Sequence, residues 1–394
     1  SLSEHGLRFH DGHVLKTTYQ NKIPQLARVA AVAVLLAVGS ARHCQNLTIP
    51  ISISARNSRF DLQAPATNID VTNFALNLAQ PGHNLTEAVL VEYVTVSGNY
   101  SIAATYCEPD CGPGKTVQVL THGIAFDRSY WDFSVNDYNY SYVNQAVDRG
   151  YSAFFFDRLG LGQSSHGEPV NEIQSWLEVS ALYALTTMLR ENRIPEIKAK
   201  FDKVVHVGHS FGSIQTYGLV AAYPDSSDGI VLTGFSQAAF LPYFLLGNNL
   251  VSANTKSTLV AYPAGYLAAG SVSGAQIGFF SPGQFDPSVL QVTAATGQPV
   301  TVGELLTVGG PSSPKNAFRG PVFVVTGERD IPFCGGYCLQ ADRSIPAEVK
   351  PFFTNASYFD SFVVPKAGHG LNLEFTWPIT YERILGFIDA QVSS

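Results

Sequence analysis

The stretch Val204-Val-His-Val-Gly208-His-Ser210-Phe-Gly212 joins a short apolar run to a serine held between two glycines. The run reads as a buried strand, and the residues from Phe211 onward carry helical period. A serine at such a joint sits on a strained strand-to-helix turn, where side chains at positions 208 and 212 would clash. The turn lifts the Ser210 hydroxyl above the carboxyl end of a sheet, and the helix N-terminus behind it favours developing negative charge.

Working outward, similar apolar runs lie at 117–120, 153–156, 230–232, 322–325 and 362–364, separated by stretches of helical period such as 173–189 and 214–222. Short, almost wholly apolar strands alternating with helices predict an α/β fold: a doubly wound, mostly parallel sheet. Upstream, Val89-Leu-Val-Glu-Tyr-Val-Thr-Val96, the turn-like Ser97-Gly-Asn99 and the β-rich run 100–106 read as an antiparallel hairpin. Residues 42–88, rich in Asn, Ala, Pro and Thr, read as an extended N-terminal arm. Between 236 and 318 the alternation breaks, and a stretch that long is read as a mostly helical cap over the site. The core is therefore divided into 89–235 and 319–394, with 1–41 as an N-terminal extension.

A serine hydroxyl needs a base, itself oriented by a carboxylate. The chain order expected for this turn is nucleophile, acid, histidine. His369, in Pro365-Lys-Ala-Gly-His369-Gly-Leu, is the only histidine after Ser210 and is the expected base. Thr326-Gly-Glu-Arg-Asp330 offers two acids at a strand end. Asp330 is preferred to Glu328 because the later residue should stand over the sheet edge. Donors for an oxyanion are expected from the backbone N–H groups of Phe211 and of Ile124, in Thr121-His-Gly-Ile-Ala125. Gly123 allows close approach, and His122 reads as a supporting hydrogen-bonding residue rather than a second base.

With these motifs the chain resembles the α/β-hydrolase superfamily, in its lipase/esterase-like branch. The resemblance rests on His122-Gly123, Asp157-Arg-Leu-Gly-Leu-Gly-Gln-Ser164, Gly208 to Gly212, Thr326 to Asp330 and Gly368-His369, across roughly 89–391. It implies acyl transfer on a carboxylic ester or lactone through Ser210, with no metal or organic cofactor. Serine rather than aspartate at the nucleophile position argues against epoxide hydrolase and haloalkane dehalogenase chemistry. Transacylase, hydroxynitrile lyase and perhydrolase activities share the same triad. A non-catalytic binding protein on this scaffold is the alternative of a different class.

Composition narrows the partners. Only 14% of the 394 residues are charged, against 45% hydrophobic, and the net charge is −7. No stretch clusters Lys and Arg with aromatics, so nucleic acid is not an expected partner. The charge-poor cap favours a small or medium apolar substrate. Lys22 and Arg28 precede the apolar run 29–38 and the small residues Gly39-Ser-Ala41, the order of a secretory signal peptide cleaved near Arg42. An uncleaved N-terminal anchor is the competing reading. The long extension, the sequons and the paired cysteines are similar to those of secreted fungal members of the superfamily. Asn46, Asn84, Asn99, Asn139 and Asn355 all stand in Asn-X-Ser/Thr acceptor sequences. Of the five cysteines, Cys107 with Cys111 and Cys334 with Cys338 read as local disulfides, leaving Cys44 free or joined to a second chain. Zinc binding by the four paired cysteines is disfavoured, because no histidine lies at ligand spacing.

Overall fold

A computed structural model describes residues 42–238 and 240–393. The run 29–38 and its cleavage position therefore lie outside the described residues.

The sheet is built from β1 (Arg42–Phe60), β2 (Leu90–Pro109), β3 (Thr116–Thr121), β4 (Ser152–Phe156), β5 (Lys203–His209), β6 (Gly229–Thr233), β7 (Val322–Gly327) and β8 (Phe359–Val364). Their spatial order is β1-β2-β4-β3-β5-β6-β7-β8. The β1/β2 and β2/β4 pairs are antiparallel and all the others are parallel. Successive side chains on a strand point to opposite faces, and here both faces are covered. Thus Val117, Val119, Phe154 and Phe156 feed one buried cluster, while Leu120, Phe155, Val205 and Val207 feed the other. A strand buried on both sides must be apolar at every position, which is why 117–120 and 153–156 carry no alternation.

The order reverses at β3. The chain steps from β3 to β4 on one side, then crosses to β5 on the other. In open α/β sheets such a reversal opens a crevice beyond the carboxyl ends of the two diverging strands. Here those ends carry Thr121-His-Gly-Ile and Ser210.

The structure corrects the hairpin reading. Leu90–Pro109 is one continuous strand, and Ser97, Gly98 and Asn99 run straight through it, opposite Ser54, Ile53 and Ser52. The turn-like composition is overridden because β1 supplies a full-length partner. Gly98 is needed for space rather than for bending, since a Cβ there would lie 2.6 Å from the Tyr100 ring. The segment read as an arm is extended over β1, but as an edge strand of the sheet, and it then turns into α1 (Asn68–Ala79). The core helices α2 (Ser175–Arg190) and α3 (Phe211–Ala222) follow β4 and β5. Within 236–318 lie α4 (Leu241–Asn248), α5 (Val272–Phe279), α6 (Pro287–Thr296) and α7 (Val302–Thr307). A small sheet of Leu250–Ser252, Tyr266–Ala269 and Val300–Thr301 joins them, so this region is not purely helical. The chain closes with α8 (Trp377–Gln391).

The cysteine pairing also differs from expectation. Cys107 is bonded to Cys44, not to Cys111, while Cys334–Cys338 forms as expected and Cys111 is an exposed free thiol. The reason is register: Cys44 stands directly opposite Cys107 in the β1/β2 ladder, with Cα atoms 4.1 Å apart. Cys111 lies beyond the end of β2. The Cys44–Cys107 bond spans 63 residues, so on the chain-entropy argument removing it costs about 4 kcal/mol. Cys44→Ser/Cys107→Ser should lower the denaturant midpoint accordingly, with Cys111→Ser neutral. Titration of the native protein should find one thiol. Two further thiols, or an unchanged midpoint in the double variant, would contradict this pairing.

Candidate active site

Ser210 stands between β5 and α3 with φ 56° and ψ −118°, a left-handed conformation that disfavours side chains by about 1–3 kcal/mol. The surroundings hold it there. Its N–H donates to Thr233 O at 2.9 Å, and Ser213 and Ile214 donate to its carbonyl at 2.9 and 3.1 Å. A Cβ at position 212 would lie 2.1 Å from Thr121 O, so only glycine lets α3 start this close to the end of β3. Beneath the serine, buried His209 bonds Thr233 Oγ1 at 3.1 Å and stacks on Tyr130, with ring centroids 4.4 Å apart. Burial, then the neighbouring His369, holds the His209 pKa well below the ordinary histidine range.

The loop after β3 approaches within contact: a Cβ on Gly123 would lie 2.8 Å from Ser210 Cβ. Fully buried His122 fixes this loop. Its Nε2 accepts the Arg158 N–H at 3.1 Å, so Nδ1 carries the proton and donates to Gly123 O at 2.9 Å. Burial, then the Arg158 charge, keeps His122 neutral by lowering its pKa well below the usual value. In a trans peptide the N–H points opposite the C=O. Anchoring Gly123 O therefore also sets the direction of the Ile124 N–H. Ile124, Ser210 and Phe211 line one cavity, and the Phe211 N–H belongs to the first turn of α3, whose N–H groups lack intrahelical acceptors.

The Ser210 hydroxyl lies 2.8 Å from His369 Nε2, and His369 Nδ1 lies 2.6 Å from Asp330 Oδ2. Asp330 Oδ1 accepts the Phe333 N–H at 2.8 Å, which orients the carboxylate. Both His369 and Asp330 are buried. Glu328 is turned elsewhere, accepting the Lys366 N–H at 2.7 Å. The His369 ring stacks near Phe279 and Phe333, at centroid distances of 5.8 and 5.7 Å. The Cys334–Cys338 disulfide closes the loop that starts at Asp330, and Cys338 N–H donates to Glu328 O at 2.9 Å.

The cavity has a volume of about 410 Å³. Leu241 and Phe244 of α4, Leu305 and Leu306 of α7, and Pro332 and Phe333 form its apolar walls. Leu78 of α1 and Thr86 contribute from the N-terminal side, and Thr86 Oγ1 donates to Leu306 O at 2.9 Å. No charged side chain lines it among the described residues. A larger cavity of about 610 Å³, bordered by Arg42 and Arg128, lies on another part of the surface. Its two cations are already paired with Asp132 and Asp157.

Two buried ionisable groups behind the site escape a reading by motif. Arg158 donates from Nη1 to both Glu178 of α2 and Glu304 of α7 at 2.6 Å, with its guanidinium 4.7 Å from the Phe211 ring centroid. Burial pushes the Glu178 pKa well up, with Arg158 opposing and Glu304 adding to the rise. The cluster ties α7, which bears Leu305 and Leu306, to the core. Asp157, the neighbour of Arg158, has a signal in sequence because it opens Asp157-Arg-Leu-Gly; Glu178 and Glu304 have none, being spaced like any helical carboxylates. The second group is Glu374, an isolated acid in the apolar run Leu371-Asn-Leu-Glu-Phe, and that isolation is the signal that could have found it. Its carboxylate accepts N–H groups from Gly368 and from Ser281, at 2.6 and 2.5 Å.

All five sequon asparagines are exposed. Among the described residues no group of three His, Cys, Asp or Glu side chains is placed to hold a metal ion, and no helix is long and apolar enough to cross a membrane.

Residues 118–376 match the sequence model of a family described as "Alpha/beta hydrolase family". No curated protein matches the chain. Among solved structures, the chain is similar to a thermophilic esterase from Thermogutta terrifontis at 15% identity and TM-score 0.50, covering 74% of this chain and 94% of that one. An alpha/beta hydrolase fold protein from Chitinophaga pinensis is similar at 14% identity and TM-score 0.49, covering 74% and 94%. E-2-(acetamidomethylene)succinate hydrolase is similar at 16% identity and TM-score 0.48, covering 74% and 96%. Likeness at such identity is likeness of fold.

Proposed function

The chain belongs to the alpha/beta hydrolase family, and from that premise we propose that it is a serine hydrolase cleaving a carboxylic ester or lactone of a small or medium apolar substrate. The observation that carries this reading is the continuous hydrogen-bonded line from Ser210 Oγ through both nitrogens of His369 to Asp330, at 2.8 and 2.6 Å, opening onto an apolar cavity.

Asp330 accepts a hydrogen bond from His369 Nδ1–H and so fixes the tautomer in which Nε2 is bare to take the proton of Ser210 as its oxygen attacks the carbonyl carbon. The negative charge that forms on the carbonyl oxygen falls to the N–H groups of Ile124 and Phe211, reinforced by the N-terminus of α3. The imidazolium then returns its proton to the departing alcohol as the C–O bond breaks, leaving an acyl group on Ser210. Water, deprotonated by the same nitrogen, releases the acid and restores the serine. No step draws on a metal or an organic cofactor. The uncharged lining favours apolar acyl groups, because their binding rests on buried area.

Export fits the same molecule: Cys44–Cys107 and Cys334–Cys338 suit an oxidising compartment, and the exposed sequon asparagines are open to glycosylation. Cleavage near Arg42 would then give the mature N-terminus.

A fluorophosphonate probe should label Ser210 stoichiometrically, and p-nitrophenyl esters from acetate to palmitate should turn over with a preference below palmitate. Absence of both labelling and turnover would overturn the reading. A preference for palmitate would overturn the substrate size.

A further inference from the structure

The loop carrying His369 is packed on the cap, backbone against backbone. A Cβ on Gly368 would lie 2.7 Å from Ser281 N and 2.9 Å from Phe279 O, and Gly370 N–H donates to Phe279 O at 2.6 Å. Between these two segments stands the fully buried carboxylate of Glu374. One oxygen takes the Gly368 N–H, immediately before His369, and the other takes the Ser281 N–H, two residues beyond the phenylalanine that stacks on the imidazole. The reaction described above gives Glu374 no part. A buried carboxylate is retained against a desolvation penalty of several kcal/mol. Here it spans two separate chain segments that bear on one imidazole.

We propose that Glu374 is a positioning residue for His369, clamping the histidine loop to the cap so that the imidazole meets Ser210 and Asp330 together. The proposal rests on the serine-hydrolase reading for its kinetic consequence, and on geometry alone for its structural one.

The clamp depends on ionisation, since a carboxylate accepts both N–H groups fully and a proton on either oxygen weakens the bond at that atom. Burial pushes the Glu374 pKa up to about 8; the two N–H donors oppose this and the charge of Asp330 adds to it. The ionisable groups facing it are Asp330 from the loop after β7 and Tyr130 from the turn Arg128–Tyr130, while the histidine loop meets it through the Gly368 N–H. Tyr130 stays neutral, because burial drives its pKa well above the usual value. The cap residues 279–281 bring no ionisable side chain. With the folded pKa raised, the clamp strengthens as pH rises through about 8 and slackens below it.

Glu374→Gln keeps the shape but turns an N–H donor toward an N–H donor. Displacing a catalytic group by about 1 Å can lower rate on the order of 10². The variant should therefore lose about 10- to 100-fold in kcat at pH 9, with KM changed less than about twofold, and should lack a step in kcat near pH 8 that the wild type shows. An unchanged kcat and pH profile, whatever happens to the melting temperature, overturns the proposal. A second measurement needs no substrate: the downfield proton resonance of the His369 Nδ1–H···Asp330 bond should shift or broaden in Glu374→Gln and hold still in Glu328→Gln. If the variant does not fold, Glu374→Asp, whose shorter side chain cannot reach both the Gly368 and the Ser281 N–H, should shift or broaden the same resonance, and an unmoved resonance there overturns the clamp. Failure of the wild type to label or to turn over esters sinks the serine-hydrolase reading instead, and the resonance still decides the clamp.

Discussion

Ser210→Ala and His369→Ala are each expected to lower kcat by a factor on the order of 10⁴ to 10⁶ while the protein stays folded. The size of the loss follows from the 2.8 Å contact between the two side chains. Without the hydroxyl no acyl-enzyme forms, and without the imidazole the hydroxyl keeps its proton at neutral pH. The two losses should not add, because either change disables the same step; the double variant should be about as slow as the worse single one. Turnover of p-nitrophenyl esters, with circular dichroism as the check on folding, measures this. More than a tenth of wild-type kcat in either folded variant removes Ser210 or His369 from the mechanism.

The second large effect is expected at Asp330. Asp330→Asn should lower kcat by at least about 10³, because an amide nitrogen facing His369 Nδ1 favours the imidazole tautomer with its proton on Nε2, the atom that must accept from Ser210. The fold should survive, since the amide oxygen can still accept the Phe333 N–H that Asp330 Oδ1 now takes at 2.8 Å. Glu328→Gln leaves the acceptor for the Lys366 N–H in place and should change kcat less than about threefold. Equal losses at the two positions, or a larger one at Glu328, would shift the orienting role.

What was legible in the sequence followed from local constraint. Gly208 and Gly212 mark a turn no other residue fits, the runs 117–120 and 153–156 carry double burial openly, and a lone downstream histidine left a single candidate base. Asp330 against Glu328 was harder, because both sit on one loop and only the folded path of 328–333 aims one of them inward. The Cys44–Cys107 bond was invisible because it depends on register between strands far apart in sequence, and Ser97-Gly-Asn99 misled because a partner strand outweighs turn propensity. Arg158 meets Glu178 through the docking of α2 and Glu304 through that of α7, so no spacing announces the cluster. Residues 1–41 carry an expectation about export that the fold does not address.

The long strand β1 has a bearing on self-association. It lies at the edge of the sheet, and an edge ladder of this length exposes a row of backbone groups that a second chain could extend. Pro50 lies near its middle, opposite Ser101. Proline has no N–H for a ladder, so its nitrogen must face away from β2, where it interrupts the outer row. Toward its end the edge is covered from within the chain, since Gln174 Oε1 takes the Ser58 N–H and Asn171 Oδ1 takes the Phe60 N–H. The edge therefore carries its own safeguards against cross-chain β-pairing and fibril-like growth, and keeps the strand available to its native partner alone.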